Sequence, residues 1–543
     1  MKILLGCIVL AACATQAGEV EVSPPCHGKC DDSGIGDLDH DGSSLCLALR
    51  GNGPRITAHF GAIARVFEQY GLVDAVAGGS SGSITAFIVE SIEMNPAVYR
   101  CGTRGCTSKE AGERGAFLMK SIRGYFDVLG ETIEAAQFAD VKTLADALAQ
   151  RNVAGLLAGP NPTAGVDALR SLLASPELRD VVNPEIAQVL ATSPDVVHHA
   201  RDFQETLSRG LSFEATSPEI FVRPGALSFP GVIDKVGRLG TFYAGSSPAD
   251  PAALGRLLDA CAPAARGKSW AQASATAHDG STCGARFRTL VENFRAELAR
   301  SPSSYPARLD DRVGGVVPTL VTTAVLEGPA VAAWRSARAD YLAARPVRMA
   351  VDFQDVGIGY FGATEDLGQI VRAGAARSDE KSQKRRSLGS VTWRVALGAS
   401  PAEPGLSRGV ELADGRISVG GWSDLQPTLV LEDLGCDQIV YATRIGGAGT
   451  FETGITRLLG ITETQASRLY ALDDPSSSYY QSLAASDAVS CADWDRPAAQ
   501  DLDAMTAIGY DAPFETDEPY FEERPFDKLV ARTGLPGCTL GVR

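Results

Sequence analysis

The residues Gly78-Gly79-Ser80-Ser81-Gly82 form a G-x-S-x-G turn. A serine hydroxyl is a poor nucleophile until it is presented to a substrate and given a base, and this spacing supplies the presentation. The run VDAVA before the turn reads as a short strand and ITAFIVESI after it as a helix. That is the strand–turn–helix context a nucleophile elbow requires. Gly78 and Gly82 allow the sharp bend, and the helix start behind Ser80 offers unpaired N–H groups and the positive end of a dipole. The same five residues can also be a plain glycine turn; the flanking strand and helix favour the nucleophile.

A second glycine-rich loop, Gly51-Asn52-Gly53-Pro54-Arg55, lies upstream, also between a strand-like run and a helical one. Backbone donors at such a loop can be aimed at a developing oxyanion, which assigns Gly51, Asn52, Gly53 and Arg55 to that role. A phosphate cradle is the rival. The loop lacks the Gly-Lys-Ser/Thr ending of a P-loop, and Ile56 stands where the last glycine of G-x-G-x-x-G would be.

The base must be found elsewhere. An α/β-hydrolase triad ends on a histidine near the C-terminus, yet no histidine follows His278. His59 sits on the helix after the glycine loop, where a structural role is expected. A carboxylate is then the plausible acceptor, and the family resemblance described below points to the segment ELADGRISVGGWSD, which offers two. Asp424 follows the pair Gly420-Gly421 by three residues and can fold back. Four extended residues separate Asp414 from that pair, a reach of over ~10 Å at ~3.3 Å each, and Asp414 also reads as a hairpin-turn residue. Asp424 is preferred and Asp414 is the alternate.

The elements that must position these loops begin with LCLALR, an apolar run that reads as a buried strand. In the next segment Ile56, Phe60, Ile63, Val66 and Phe67 recur at helical spacing. Strand, loop, helix, strand, turn, helix predicts an α/β fold with parallel strands. Alanine-rich amphipathic segments then dominate to about Arg312, a helical insertion or cap. Strand texture returns at 316–325, 347–353 and 436–444, so the core is expected to be discontinuous. The basic run Lys381 to Arg386 reads as a solvated polar loop.

Taken together, LALRGNGPRITAHFGAIARVFEQYGLVDAVAGGSSGSITAF resembles the patatin-like phospholipases. The likeness continues at VVPTLVTTAVLEG, at WRVALGASPAEPG, where that family has Ala-Ser-x-Ala-x-Pro, and at GGWSDLQPTLVLEDLGCDQIVYATR. It implies an α/β, patatin-like three-layer core with a mainly parallel sheet plus a large helical insertion, and a Ser–Asp dyad without histidine. The implied activity is hydrolysis of carboxylic esters in membrane phospholipid or lysophospholipid, with no cofactor required. One departure bears on that activity. The family has Asp-Gly-Gly or Asp-Gly-Ala, whereas Val419 precedes the glycine pair here. The alternative is therefore a catalytically silent surface lipoprotein that binds lipid or a protein partner.

The N-terminus MKILLGCIVLAAC has one basic residue, a short apolar run and small residues, which make a secretory signal. Its apolar run is far short of the ~20 residues a spanning helix needs. Leu10-Ala11-Ala12-Cys13 resembles a bacterial lipobox, which implies cleavage before Cys13 and diacylglycerol on its sulfur; an ordinary signal cut nearby is the other reading. The expected location is the cell envelope, at the bacterial outer membrane or cell surface. The expected organisation is a signal peptide (1–12), a lipid-anchored acidic leader (13–44), a core in two parts (45–100 and 313–480), the helical insertion (101–312) and a helical or irregular C-terminal segment (481–543).

The net charge of −16 makes nucleic acid an unsuitable partner and argues against electrostatic adhesion to anionic lipid. Within the leader, Asp37, Asp39, Asp41 and Gly42 match the first half of an EF-hand-type calcium loop, but Ala48 stands where the bidentate glutamate belongs. Of 12 cysteines, Cys7 leaves with the signal and Cys13 carries lipid. The even remainder permits disulfides in an exported protein. Cys101–Cys106 is the best local pair, Cys26–Cys30 and Cys261–Cys283 are further ones, and Cys46 reads as a small buried apolar residue. Replacing Cys13 by Ser is expected to abolish lipidation and release the protein from membranes, because acyl burial at ~0.8 kcal/mol per CH₂ is the attachment. Sedimentation of the variant with membranes would refute the anchor.

Overall fold

A computed structural model describes residues 44–49, 51, 56–130, 147, 150–153, 156, 162–178, 181, 229–245, 250, 252–302, 308–315, 317–326, 328, 331–332, 335–336, 356–362, 385–401, 410–418, 420, 427, 430–431, 434, 436, 438–443, 514–516 and 528–532. β1 (Leu45–Leu49) shows why the sheet is central. Leu45, Leu47 and Leu49 fall on one side and Cys46 and Ala48 on the other, and all five are buried. A strand covered on both faces belongs inside a layered α/β structure.

Parallel neighbours need a crossover, and helices supply it. The chain runs β1, α1 (Thr57–Tyr70), β2 (Ala75–Gly79), α2 (Ser81–Glu93), α3 (Pro96–Tyr99) and a small hairpin, β3 (Arg100–Cys101) and β4 (Arg104–Gly105). A helical segment follows, with α4 (Ser108–Lys120), α5 (Ile122–Leu129), α6 (Pro162–Leu173), α7 (Phe229–Tyr243), α8 (Ala253–Ala265) and α9 (Trp270–Ser274). Another hairpin, β5 (Ala277–His278) and β6 (Ser281–Thr282), leads into α10 (Cys283–Arg300). The sheet resumes with β7 (Thr319–Leu326), β8 (Val356–Gly362) and β9 (Arg385–Ser387). Then come α11 (Trp393–Ala399), β10 (Val410–Glu411), β11 (Ile417–Ser418), β12 (Gln438–Thr443), β13 (Phe514–Thr516) and β14 (Lys528–Arg532).

The fold is α/β with a mixed, mostly parallel sheet. Strands β7, β2, β1, β12 and β14 lie side by side in parallel, and antiparallel partners flank them: β8 and β11 on β7, β10 on β11, and β13 on β14. One face packs Leu47, Val76, Val321 and Val440 against α1 and α2. The other packs Cys46, Ala77, Leu320 and Ile439 against Val430, Leu431 and Leu434.

Helices α4, α5 and α7 to α10 share the first of these cores, whereas the buried Leu169, Leu172 and Leu173 of α6 are not part of it. α4 lies so close to α1 that a Cβ at Gly112 would stand 2.1 Å from the Phe67 carbonyl oxygen. Lys120 on α4 donates to Glu68 on α1 and to the Ala265 carbonyl at 3.0 Å, joining α1, α4 and α8. Phe242 on α7 stacks among Tyr125, Phe287 and Phe294 at centroid distances of 5.2–5.9 Å.

Two of the expected disulfides form, Cys101–Cys106 and Cys261–Cys283. Cys46 is not a free core residue: it is bonded to Cys436, 390 residues away. The cause is sheet order, since β1 pairs with β12 in the register Cys46↔Ile439 and Cys436 closely precedes that strand. Cys26 and Cys30 lie outside the described residues. The expected strand at 347–353 does too, while β8 lies just beyond it. Arg385 and Arg386, read as part of a solvated loop, belong to β9, which pairs in parallel with β8. The C-terminal segment, read as helical or irregular, contributes β14 to the parallel sheet beside β12.

The far end of α2 is held by charge. Glu90 is fully buried, pairs with Arg308 at 3.2 Å and accepts from the Gly314 and Gly315 amides at 2.8 and 3.3 Å. Glu93, also buried, accepts from the Val73 amide at 3.1 Å. Burial first, then the carboxyls of Asp74 and Glu90, push the Glu93 carboxyl well above its ordinary range against that one hydrogen bond. A carboxyl raised in the folded state lends stability at low pH that is lost as pH climbs through the folded value, starting from the unfolded value near 4.5. Glu93→Gln keeps an acceptor for Val73 and cannot ionise. The variant is expected to melt above wild type at pH 8, with the gap closing by pH 4. A gap independent of pH would refute this.

Candidate active site

β2 ends at Gly79 and α2 begins at Ser81, so one residue makes the whole turn. Ser80 takes φ 53° and ψ −127°. Among the described residues other than glycine, only Ser80, Asn152 and Asp279 have positive φ. Asn and Asp tolerate that region by local hydrogen bonding, whereas serine has no such licence. Such a conformation costs ~1–3 kcal/mol and persists only where the surroundings over-determine it. Here they do. A Cβ on Gly78 would sit 2.3 Å from the Gly82 carbonyl oxygen, so the first and last glycines of the motif are the two sides of one backbone contact.

Both peptide groups of Ser80 are held. Its N–H donates to Ser400 Oγ at 2.9 Å, and its carbonyl accepts from Ser83 N–H at 3.0 Å and Ser83 Oγ at 2.6 Å. The Ser80 hydroxyl makes no hydrogen bond with any described residue, and the residue is 3% exposed. It stands at the N-terminus of a 13-residue helix, where the dipole favours a developing negative charge.

The sheet has a gap at this point. β8 covers one edge of β7 from Leu320 to Leu326, leaving the other edge to two strands. β2 runs along it as far as Gly79↔Thr322, and β11 runs the opposite way along Leu326 and Val325, ending at Ser418. The C-terminal ends of β2 and β11 therefore point at each other across Thr323 and Ala324, roughly 10 Å apart at ~3.3 Å per residue. The walls of the gap are polar and buried. Thr323 Oγ1 and Ser418 Oγ lie 2.7 Å apart, and Ser418 Oγ donates to the Ala399 carbonyl at 3.4 Å. Ser400 Oγ donates to the Thr322 carbonyl at 2.7 Å.

The structure brings some of the expected residues together. Gly51 follows β1, whose Leu49 lies opposite Gly78, so Gly51 and the elbow lie at the same end of these parallel strands. Asn52, Gly53, Arg55 and Asp424 lie outside the described residues, as do Cys13, Asp37, Asp39 and Asp41. Asp414 is not at the elbow. It occupies the β10–β11 turn, at the end of β11 remote from Ser80, and its carboxylate accepts from Arg416 Nε at 2.6 Å and Arg416 N–H at 3.0 Å. The Arg416 guanidinium holds that carboxyl below the usual carboxylate range. Asp414 is a turn residue, as the alternate reading of its sequence has it.

His59 is fully buried, its Nδ1 3.5 Å from Thr85 Oγ1 on α2, which is a structural setting. Among the described residues, no group of three His, Cys, Asp or Glu side chains is arranged to hold a metal ion, and no helix is long and apolar enough to cross a membrane. Ser400, Thr322 and Thr323 fall in segments that carry the family resemblance, WRVALGASPAEPG and VVPTLVTTAVLEG, but nothing there or at Ser418 gave them a role in the site. The nearest signal was Ser400 at the end of the apolar helix WRVALGA.

The elbow gives a sharp expectation. Gly78→Ala should destabilise the protein by ~1–3 kcal/mol or more, the usual range for forcing atoms into a packed site, and should abolish any reactivity of Ser80. Denaturant melts and serine-probe labelling measure both, and a stable, fully reactive alanine variant would disprove the contact. No family model, no curated protein and no solved structure matches this chain.

Proposed function

We propose that this chain is a patatin-like serine ester hydrolase, anchored by acyl chains at Cys13 on an exported envelope protein and acting on membrane phospholipid or lysophospholipid. One observation carries the reading: Ser80 is held in a strained positive-φ turn between a parallel strand and a helix, with both of its peptide groups engaged and its hydroxyl left over. Strain of this kind is a mark of function when the surroundings enforce it.

In this reading Ser80 Oγ attacks the ester carbonyl. A carboxylate takes its proton, the alcohol leaves, and water then cleaves the acyl-serine. The first glycine loop, Gly51 to Arg55, supplies oxyanion donors. Asp424 is the proposed base. The direction of β11 supports it, since that strand delivers the chain at Ser418 towards the elbow, and Gly420 at φ 100° bends it soon afterwards. Five residues then separate Ser418 from Asp424, ample for a gap of roughly 10 Å. No cofactor enters these steps, and calcium at Asp37, Asp39 and Asp41 is a separate proposal about the leader.

A fluorophosphonate probe should label wild type and not Ser80→Ala, and lipid hydrolysis should follow the same pattern. Asp424→Asn should lower turnover by ~10²–10⁴-fold, the usual cost of losing a general base, while Asp414→Asn should leave turnover nearly unchanged. An inert wild type would reverse the reading in favour of a silent lipid-binding lipoprotein. Loss of turnover in Asp414→Asn alone would move the base.

A further inference from the structure

The hydrogen bonds around Ser80 converge on a side chain 320 residues away. Ser400 is fully buried at the C-terminal end of α11, and its own N–H is satisfied by the Ala396 carbonyl. Its hydroxyl accepts from Ser80 N–H at 2.9 Å and donates to the Thr322 carbonyl at 2.7 Å. Thr322 lies opposite Gly79, the last residue of β2. Because the chain turns at Ser80, β2 leaves the ladder there, and the Ser400 hydroxyl stands between the Ser80 N–H and the β7 carbonyl at that level. The rung that the turn interrupts is completed through a side chain.

We infer that Ser400 is a positioning residue for the nucleophile: by holding the Ser80 N–H against β7 it fixes the direction of the Ser80 hydroxyl. The inference rests on the reading of Ser80 as a nucleophile. The Ser400 hydroxyl has one proton and spends it on Thr322, so towards Ser80 it can only accept. Ser83 fixes the carbonyl side of Ser80, and Ser400 fixes the amide side. The arrangement also occupies the Ser80 N–H, which removes that donor from the set available to an oxyanion and leaves the role to other backbone amides.

The test compares Ser400→Ala and Ser400→Thr in the full chain, with folding checked by circular dichroism. One measurement is hydrogen–deuterium exchange of the Ser80 amide. The other is the concentration dependence of fluorophosphonate labelling, which separates the maximal rate from probe affinity. Ser400→Ala is expected to speed exchange at Ser80 and to lower the maximal labelling rate by about 10²-fold, the cost of a small misplacement of a reacting group, with probe affinity unchanged. Ser400→Thr, which keeps the hydroxyl, should restore most of both.

Unchanged exchange in the alanine variant overturns the inference. Equal losses in the alanine and threonine variants also overturn it, because packing and not the hydroxyl would then be the cause. If the alanine variant fails to fold, Ser400→Cys, similar in size but a weak hydrogen-bonding group, takes its place under the same criteria. A wild type that the probe does not label defeats the hydrolase reading, and the exchange comparison still decides whether Ser400 holds Ser80.

Discussion

The approach of Gly78 to the Gly82 carbonyl is the contact on which the rest of the site depends. It lets a strand become a helix across one residue, and that residue is Ser80. The strain this places on Ser80, ~1–3 kcal/mol, is small beside what surrounds it. α2 buries Phe87, Ile88, Val89 and Ile92 almost completely, and each such side chain contributes ~1.5–3 kcal/mol when fully buried. β2, on the other side of the turn, lies between β1 and β7 within the sheet. Neither element can relax without losing more than the turn would gain.

α2 is also fixed along its axis. Glu90 lies ten residues from Ser80, about 15 Å down the helix at 1.5 Å per residue. There it meets Arg308 and two backbone amides from the segment that enters β7. A buried ion pair offers little net stability, since desolvation offsets its attraction, but breaking one is expensive. Its value here is registration: α2 cannot slide relative to β7 without leaving Glu90 unpaired. Arg308 also stacks over Phe87, 5.4 Å from the ring centroid, and Phe87 meets Trp393 of α11 edge-on at 5.1 Å. The helix that bears Ser400 is thus packed against the helix that begins at the elbow.

Helices α4, α5 and α7 to α10 share one core with the sheet. A cap that merely covered a site would be expected to have its own core and a polar seam. Here α4 touches α1 backbone to side chain, Lys120 and Glu68 are buried at the junction, and the aromatic cluster around Phe242 is continuous with the sheet's helical face.

The sequence by itself determined what acts over a few residues. Alternating strand and helix patterns from Leu45 to Glu93, the glycines at 78 and 82, and the short-range pair Cys101–Cys106 all follow from backbone sterics, periodicity and loop closure. The same logic made Asp414 legible as a turn residue. Only the tertiary structure decided which distant segments became neighbours. Cys46 met Cys436 because β12 inserts beside β1, the C-terminal strand β14 joined the sheet next to β12, and Ser400 reached Ser80 because α11 ends over Thr322. None of these has a local pattern. Each is fixed by the order of strands in the sheet, and that order is set by which faces can be buried together across hundreds of residues of intervening chain.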